Sequence, residues 1–415
     1  MMIKLQRISL YIFFFSMNFE VWDPFQTNGY FSVSKLAGII YFLVSIPAII
    51  KFKTNDQFKP ILKSILLFFS LLLFVNAIHA DSTTDTIVNY TILQNIILFW
   101  ILINHEQSEP LILEKGLLYF ALGSATLALL YFNGIGIELS EGRVSIFGDN
   151  QNAIGQRMCF SIIIVSMVVM QNRLQLNKAR FLLLLLIPMM LSLLVATGSR
   201  LAILSFALVF ITGLVLVKTR DYYLKVVVFT VGIISFVFIW QFLMQNDLLR
   251  TRLLMSLQEG HLSERDVIWS NLLPLIENNP IFGVGQSGYS AFCNSNYGRY
   301  VSPHSVILEL LCFTGTIGLL IYFFFLYQIF RKGYLTYKSN GLLLPILLII
   351  NIVGLLLVSH ILELKIGWSI LAYIAASSIT MEKESGVETI YQSIIESCGS
   401  DPGDISNGLS SNRKI

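Results

Sequence analysis

Apolar residues along this 415-residue chain run in blocks separated by short polar turns. Each block has about the length that crosses a bilayer, roughly 17 to 25 residues. Twelve can be drawn, near 7–22, 33–50, 60–78, 86–104, 116–133, 153–171, 179–197, 200–217, 222–243, 304–330, 341–359 and 361–381. The pattern predicts an all-α polytopic membrane protein with twelve transmembrane helices. Lys4 and Arg7 before a short apolar run have the opening of a signal peptide, but no small-residue cleavage site follows, so the segment is read as the first helix.

One polar interruption is long, residues 244–303 between the ninth and tenth spans, and it has a pattern of its own. Ser263 with Asp266 three residues on fits a capping box. Trp269, Leu272, Leu273 and Ile276 then recur at helical spacing, predicting an amphipathic helix on the membrane surface with Arg265 in its first turn. Pro280 and the three glycines of NNPIFGVGQSG end it. The organisation is thus a membrane domain over 1–381, including the loop 244–303, and a Ser-, Gly- and charge-rich tail over 382–415 that is expected to be disordered on the cytoplasmic side.

Charge sets the orientation. With the N-terminus inside, the short inner loops hold Lys51, Lys53, Lys59, Lys63, Lys115, Arg173, Lys178, Arg180, Lys218, Arg220, Lys225, Arg331, Lys332 and Lys338, whereas the short outer loops hold Arg143, Arg200 and Lys365. The bias follows the positive-inside rule and places the long loop outside. Composition agrees: 55% of residues are hydrophobic and 13% charged, where a soluble domain carries roughly 25% charged residues. The net charge of +3 reflects topology and gives no reason to expect nucleic acid. The inner loops are too short for a nucleotide-binding domain, and no GxxxxGK[ST] occurs. Cys159 and Cys312 lie in spans, Cys398 in the tail, and Cys293 alone in the outer loop, where it reads as a small buried apolar residue.

The candidate chemistry lies on the cation-poor side. Arg200 stands at the outer end of span 8 after the turn Thr197-Gly198-Ser199; a snorkelling helix anchor is the plain alternative, although such an anchor belongs on the inner side. Arg265 either faces the membrane mouth or pairs in solvent with Glu264 or Asp266. His304 follows Pro303 at the start of span 10 and is either an interfacial histidine or a general base. Two guanidiniums offer bidentate forks for phosphate. Gly148-Asp149-Asn150-Gln151-Asn152 either caps span 6 through Asp149 or Asn152 or lines the site. Arg157 in span 6 and Glu309 in span 10 are costly intramembrane ions that either pair with neighbouring helices or line a cavity. Trp269 and Ser305 complete the candidate binding set. The first outer loop, FEVWDPFQTNGY, has no DxD or ExD pair, and no HExxH occurs, so metal-free chemistry is expected and no cofactor is implied. Gly315 and Gly318 are expected to let a neighbouring span approach span 10.

GDNQN before span 6, TGSR before span 8, an Arg- and Trp-bearing outer loop, NPIFGVG and His-Ser-x9-Gly-x-x-Gly together resemble the O-antigen ligase and O-antigen polymerase family. The motifs cover roughly residues 120–330, and topology alone carries the likeness elsewhere. The resemblance implies a bacterial inner-membrane glycosyltransferase with its site facing the periplasm. Its donor would be a glycan on a polyprenyl-pyrophosphate carrier, its acceptor a sugar, and its surroundings membrane lipid, with a chain-length regulator as a candidate partner. By motif position it places pyrophosphate binding on Arg200 and Arg265 and acceptor activation on His304. Transfer is expected by one displacement with inversion. Polymerase and ligase motifs overlap, and the reading leans to polymerase. A lipid-linked oligosaccharide flippase remains a competitor from another class; it would place its cations along a midplane path instead of an outer rim.

Overall fold

The computed structural model of the chain describes residues 2–27, 31–51, 54–79, 84–140, 142–216, 230, 265–358 and 362–379. The described chain is helical apart from one small hairpin. In order come α1 (Met2–Ser16), α2 (Val33–Lys51), α3 (Lys59–Ile78), α4 (Thr84–Ser108), α5 (Ile112–Phe132), β1 (Ile137–Ser140), β2 (Arg143–Ile146), α6 (Gln151–Gln171), α7 (Leu186–Ala196), α8 (Arg200–Leu216), α9 (Arg265–Asn278), α10 (Gly285–Tyr297), α11 (Val306–Asn340), α12 (Leu343–Val358) and α13 (Lys365–Ile379). A 3-10 segment, Lys178–Leu185, leads into α7.

Apart from the block at 222–243, of which only Thr230 is described, each apolar block read from the sequence coincides with a helix. Among the described residues six helical segments are long and apolar enough to cross a membrane: Val33–Ile50, Asp56–Ile78, Ile112–Phe132, Gln151–Gln171, Lys178–Ala196 and Val306–Asn340. Arg200–Leu216, Leu343–Leu357 and Lys365–Ile379 are apolar but shorter. This is a multi-pass membrane protein. Its outward apolar side chains, such as Leu67, Leu204, Ile211, Val215 and Leu320, are exposed as lipid-facing residues should be.

α6 is the axis of the bundle. It is buried along most of its length and packs on α5, α7, α8 and α12. Asn150 starts it by accepting the amide of Asn152 at 2.8 Å, so Asn150 is the cap, not Asp149 or Asn152. At the opposite end of the bundle Glu106 caps α5, accepting from the amides of Leu111 (2.7 Å) and Leu113 (2.8 Å). Two ion pairs hold that end: Arg7 to Glu109 and Arg173 to Glu114, each at 2.8 Å. The hairpin pairs Ile137 with Ile146 and Ser140 with Arg143, and lies at the end where Trp22 stacks on Phe147 with 5.1 Å between ring centroids. At that end too Lys365 pairs with Glu20 at 2.9 Å.

Candidate functional site

The turn between α7 and α8 is built to present Arg200. Thr197 and Ser199 are buried, Gly198 takes a positive φ of 62°, and Arg200 opens α8 half-buried. Three neighbours hold the turn. The Thr197 hydroxyl donates to Leu194 O at 2.6 Å, the Ser199 hydroxyl accepts the Ala202 amide at 3.4 Å, and the Arg143 side chain donates through Nε to Thr197 O at 2.9 Å. Arg143 also donates through Nη2 to Asn152 Oδ1 at 2.8 Å, which ties hairpin, turn and α6 together. Gly155 of α6 lies beneath the turn: a Cβ there would sit 2.9 Å from both Ser199 Cβ and Thr197 Oγ1.

α9 presents Arg265. Its inward residues are Arg265, Ile268, Trp269, Leu272, Leu275 and Ile276, an i, i+3, i+4, i+7 stripe. Leu273, expected on that stripe, is 52% exposed, because it sits a further 100° round the helix from buried Leu272. Burial pushes the Arg265 guanidinium below the ordinary arginine value, and the like charge of Arg200 adds to the effect. Among the described residues no ion pair involves Arg265; Asp266 is exposed, and Glu264 and Ser263, the expected cap, lie outside the described residues. Arg200 and Arg265, sixty-five positions apart in the chain, therefore share one electrostatic environment.

His304 is placed by the segment before it. Trp269 donates its indole N–H to Pro303 O at 2.9 Å, so the residue next to His304 is held one turn along α9 from Arg265. Tyr289 of α10 donates to Val301 O at 2.6 Å, and the His304 amide donates to Ser302 Oγ at 3.0 Å. Burial keeps the Tyr289 phenol far above its ordinary pKa, as suits a permanent donor. His304 itself has φ 51°, the left-handed region that non-glycine residues seldom adopt. Span 10 thus begins at Val306, two residues past the histidine, with buried Ser305 at its cap position.

α11 is broken at Gly315, whose φ of 62° and ψ of −163° are open in practice to glycine alone. In an unbroken helix the Thr316 amide would bond to Cys312 O. Here Thr316 N donates to Pro280 O at 2.9 Å, Ile317 N to Ile281 O at 3.3 Å, and Cys312 O accepts from Val284 N at 2.7 Å. The NPIFGVG segment has inserted into the helix and taken both halves of the missing bond. A Cβ on Gly315 would collide with Ile281 O, and one on Gly283 (φ 68°) with Cys312 O. The expectation that Gly315 and Gly318 admit a neighbouring span is corrected on this point. Gly315 admits a loop, and Gly318 abuts the side chain of Thr314 in its own helix. The same segment is anchored on α3, where Gln286 N donates to Asn76 Oδ1 at 2.8 Å.

The other candidates divide. Arg157 forms a buried ion pair with Asp149 and donates to Asn18 O at 3.3 Å, so both charges are spent inside the protein. Asn152 is engaged by Arg143. Glu309 is buried in the first turn of α11, its amide bonded to Ser305 O at 2.9 Å. Trp269 uses its polar atom on Pro303. Two features are not evident in the sequence pattern: α10, a short helix of mostly small polar residues that follows a glycine-rich stretch, and the part played by Arg143. The one hint of Arg143 is that it is one of few cations in the outer loops. Among the described residues no group of three His, Cys, Asp or Glu side chains is placed to hold a metal.

A family model described as O-antigen ligase matches residues 184–323. That segment runs from α7 past the break in α11 and contains Arg200, Arg265, Trp269, His304, Gly315 and Gly318. No curated protein matches the chain significantly. The family suggests a membrane glycosyltransferase-like enzyme and implies lipid-linked glycan substrates within membrane lipid. The match over 184–323 supports placing the chain in the O-antigen ligase and polymerase family.

Proposed function

We propose that the protein transfers a glycan from a polyprenyl-pyrophosphate carrier to an acceptor hydroxyl on the outer leaflet of the bacterial inner membrane, at a site facing the periplasm. In this reading the chain crosses the membrane twelve times. The observation that carries it is the convergence described above: Arg265 faces inward within the field of Arg200, and the residue before His304 is bonded to α9 one turn from Arg265. Two half-buried like charges brought together repel, and an anion between them removes that cost. Pyrophosphate suits two guanidiniums, each able to grip it bidentately.

The acceptor oxygen attacks the anomeric carbon from the face opposite the carrier. The bond from that carbon to the pyrophosphate oxygen breaks, its electron pair leaves with the phosphate, and Arg200 and Arg265 neutralise the developing charge. His304 takes the proton of the attacking hydroxyl. The anomeric centre inverts. Because the guanidiniums supply the charge and the first outer loop has no DxD or ExD pair, the reaction runs without a metal ion. Ser305, at the cap position of α11, and Glu309, on its first turn, line the acceptor side. The acceptor is the next carrier-linked repeat unit, which makes the protein a polymerase acting with a chain-length regulator. In the alternative reading the acceptor is lipid A-core or a protein, which would make it a ligase.

The test uses purified protein in liposomes with lipid-linked glycan extracted from membranes of cells that make the polysaccharide. His304→Ala should lose about 10²- to 10⁴-fold in transfer while still binding undecaprenyl pyrophosphate. Arg200→Ala and Arg265→Ala should lose both binding and transfer, with Lys rescuing poorly because a point charge lacks the fork. Near wild-type transfer by His304→Ala from pH 6 to 9 would remove the histidine from the reaction. Offering carrier-linked repeat units and lipid A-core side by side separates polymerase from ligase.

A further inference from the structure

α9 and the first half of α11 run side by side and are joined at both ends. At their C-terminal ends the inserted 279–284 segment, which continues directly from α9, bonds to Cys312, Thr316 and Ile317. At their N-terminal ends the indole of Trp269 bonds to Pro303 O. Between these joints the two rails have matched lengths. Trp269 to Asn278 is nine helical steps and Val306 to Thr314 is eight, or about 14 and 12 Å at 1.5 Å per residue. Arg265 projects one turn beyond the Trp269 joint, and His304 lies two residues beyond the other rail, at the same end of the frame.

A rail joined only at the glycine break would be free to pivot there, since the helical bonds across residue 315 have been given up. The indole bond closes the frame and removes that freedom. Resting on the catalytic reading above, we propose that Trp269 is a positioning residue. By bonding Pro303 O it closes a frame, hinged at the Gly315 break, that sets the separation between Arg265 and His304. It does not act by stacking on substrate. The inserted NPIFGVG segment is the other joint of this frame. Its glycines are required by the joint, since Gly283 and Gly315 meet across it backbone to backbone.

The inference separates binding from turnover. Trp269→Phe keeps an aromatic ring on the inward face of α9 and removes the N–H together with part of the indole's bulk. It should insert and melt like the wild type, keep KM for the lipid-linked glycan, and lose about 10- to 100-fold in kcat, the scale expected when reacting groups shift by about 1 Å. The opposite joint is tested by Thr316→Pro. Proline inside a continuous helix is ruinous, but residue 316 follows a break, where proline is accommodated and only the bond to Pro280 O is lost. This variant should fold and show the same kcat loss at constant KM. The double variant should lose less than the product of the two, since either change opens the same frame.

Unchanged kcat in Trp269→Phe overturns the inference. So does a raised KM with kcat preserved, which would make Trp269 a substrate contact. Failure of Thr316→Pro to fold, with Trp269→Phe indifferent, overturns it as well. His304→Ala and Arg265→Ala assayed in parallel keep the two readings apart. If either transfers at the wild-type rate, the catalytic assignment has failed. If both are inactive while Trp269→Phe is normal, the frame alone has failed.

Discussion

Arg157 and Asp149 give the sharpest stability prediction. Both are almost fully buried, and each is the other's ion-pair partner inside the hairpin end of the bundle. The Asp149 carboxylate also accepts the amide of Asn150, the residue that caps α6, at 2.8 Å. Removing one member of a buried pair strands the other charge without water, which costs about 3–5 kcal/mol, whereas replacing both by apolar groups of similar volume is often close to neutral. Arg157→Met should therefore destabilise by about 3–5 kcal/mol. Asp149→Asn, which keeps an acceptor for Asn150 but discards the charge, should cost a similar amount. The double variant Arg157→Met with Asp149→Asn should recover on the order of 3 kcal/mol relative to the sum. The protein carries its own reporters, since Cys159, Cys293 and Cys312 are buried free thiols. Unfolding in mild detergent can be followed by their labelling with a thiol-reactive dye. If Arg157→Met melts like the wild type but transfers no glycan, Arg157 serves substrate and the structural assignment of the pair is refuted.

Glycan transfer should persist in excess chelator; a strict requirement for added magnesium or manganese would contradict charge neutralisation by Arg200 and Arg265. Arg143→Met removes two donors from the Thr197 carbonyl and Asn152 and should cost about 1–3 kcal/mol. Its binding of undecaprenyl pyrophosphate should weaken because the turn that presents Arg200 loosens, which a binding titration would read. Gly155→Leu should impair folding more than Gly213→Leu, because Gly155 is packed against the Thr197–Ser199 turn whereas Gly213 has only ordinary contact with Leu347; comparing yields of monodisperse protein checks this.

Much of this molecule could be read from its residues, because the bilayer imposes one-dimensional rules. An apolar run long enough to cross must be helical to satisfy its backbone, so the blocks became helices wherever the chain is described. The α9 helix and its inward Arg265 also followed from local periodicity, and the TGSR turn from a glycine between two apolar runs. What sequence could not decide were questions of which distant groups meet. Arg157 could equally have lined a cavity, and only packing against the 3-10 turn after α1 and the segment after the hairpin gave it Asn18 and Asp149. His304 was expected at a helix start; it stands outside the helix with strained backbone because bonds from Trp269 and Tyr289 hold the preceding segment. NPIFGVG read as a helix stop, yet its proline and glycines are needed because it inserts into α11. A helix that surrenders the Cys312–Thr316 bond does so only when another backbone, thirty or so residues away in sequence, is there to accept and donate in its place. Local propensity determines which elements form. The exchange of hydrogen bonds between elements, which depends on three-dimensional proximity, decides where the functional side chains stand.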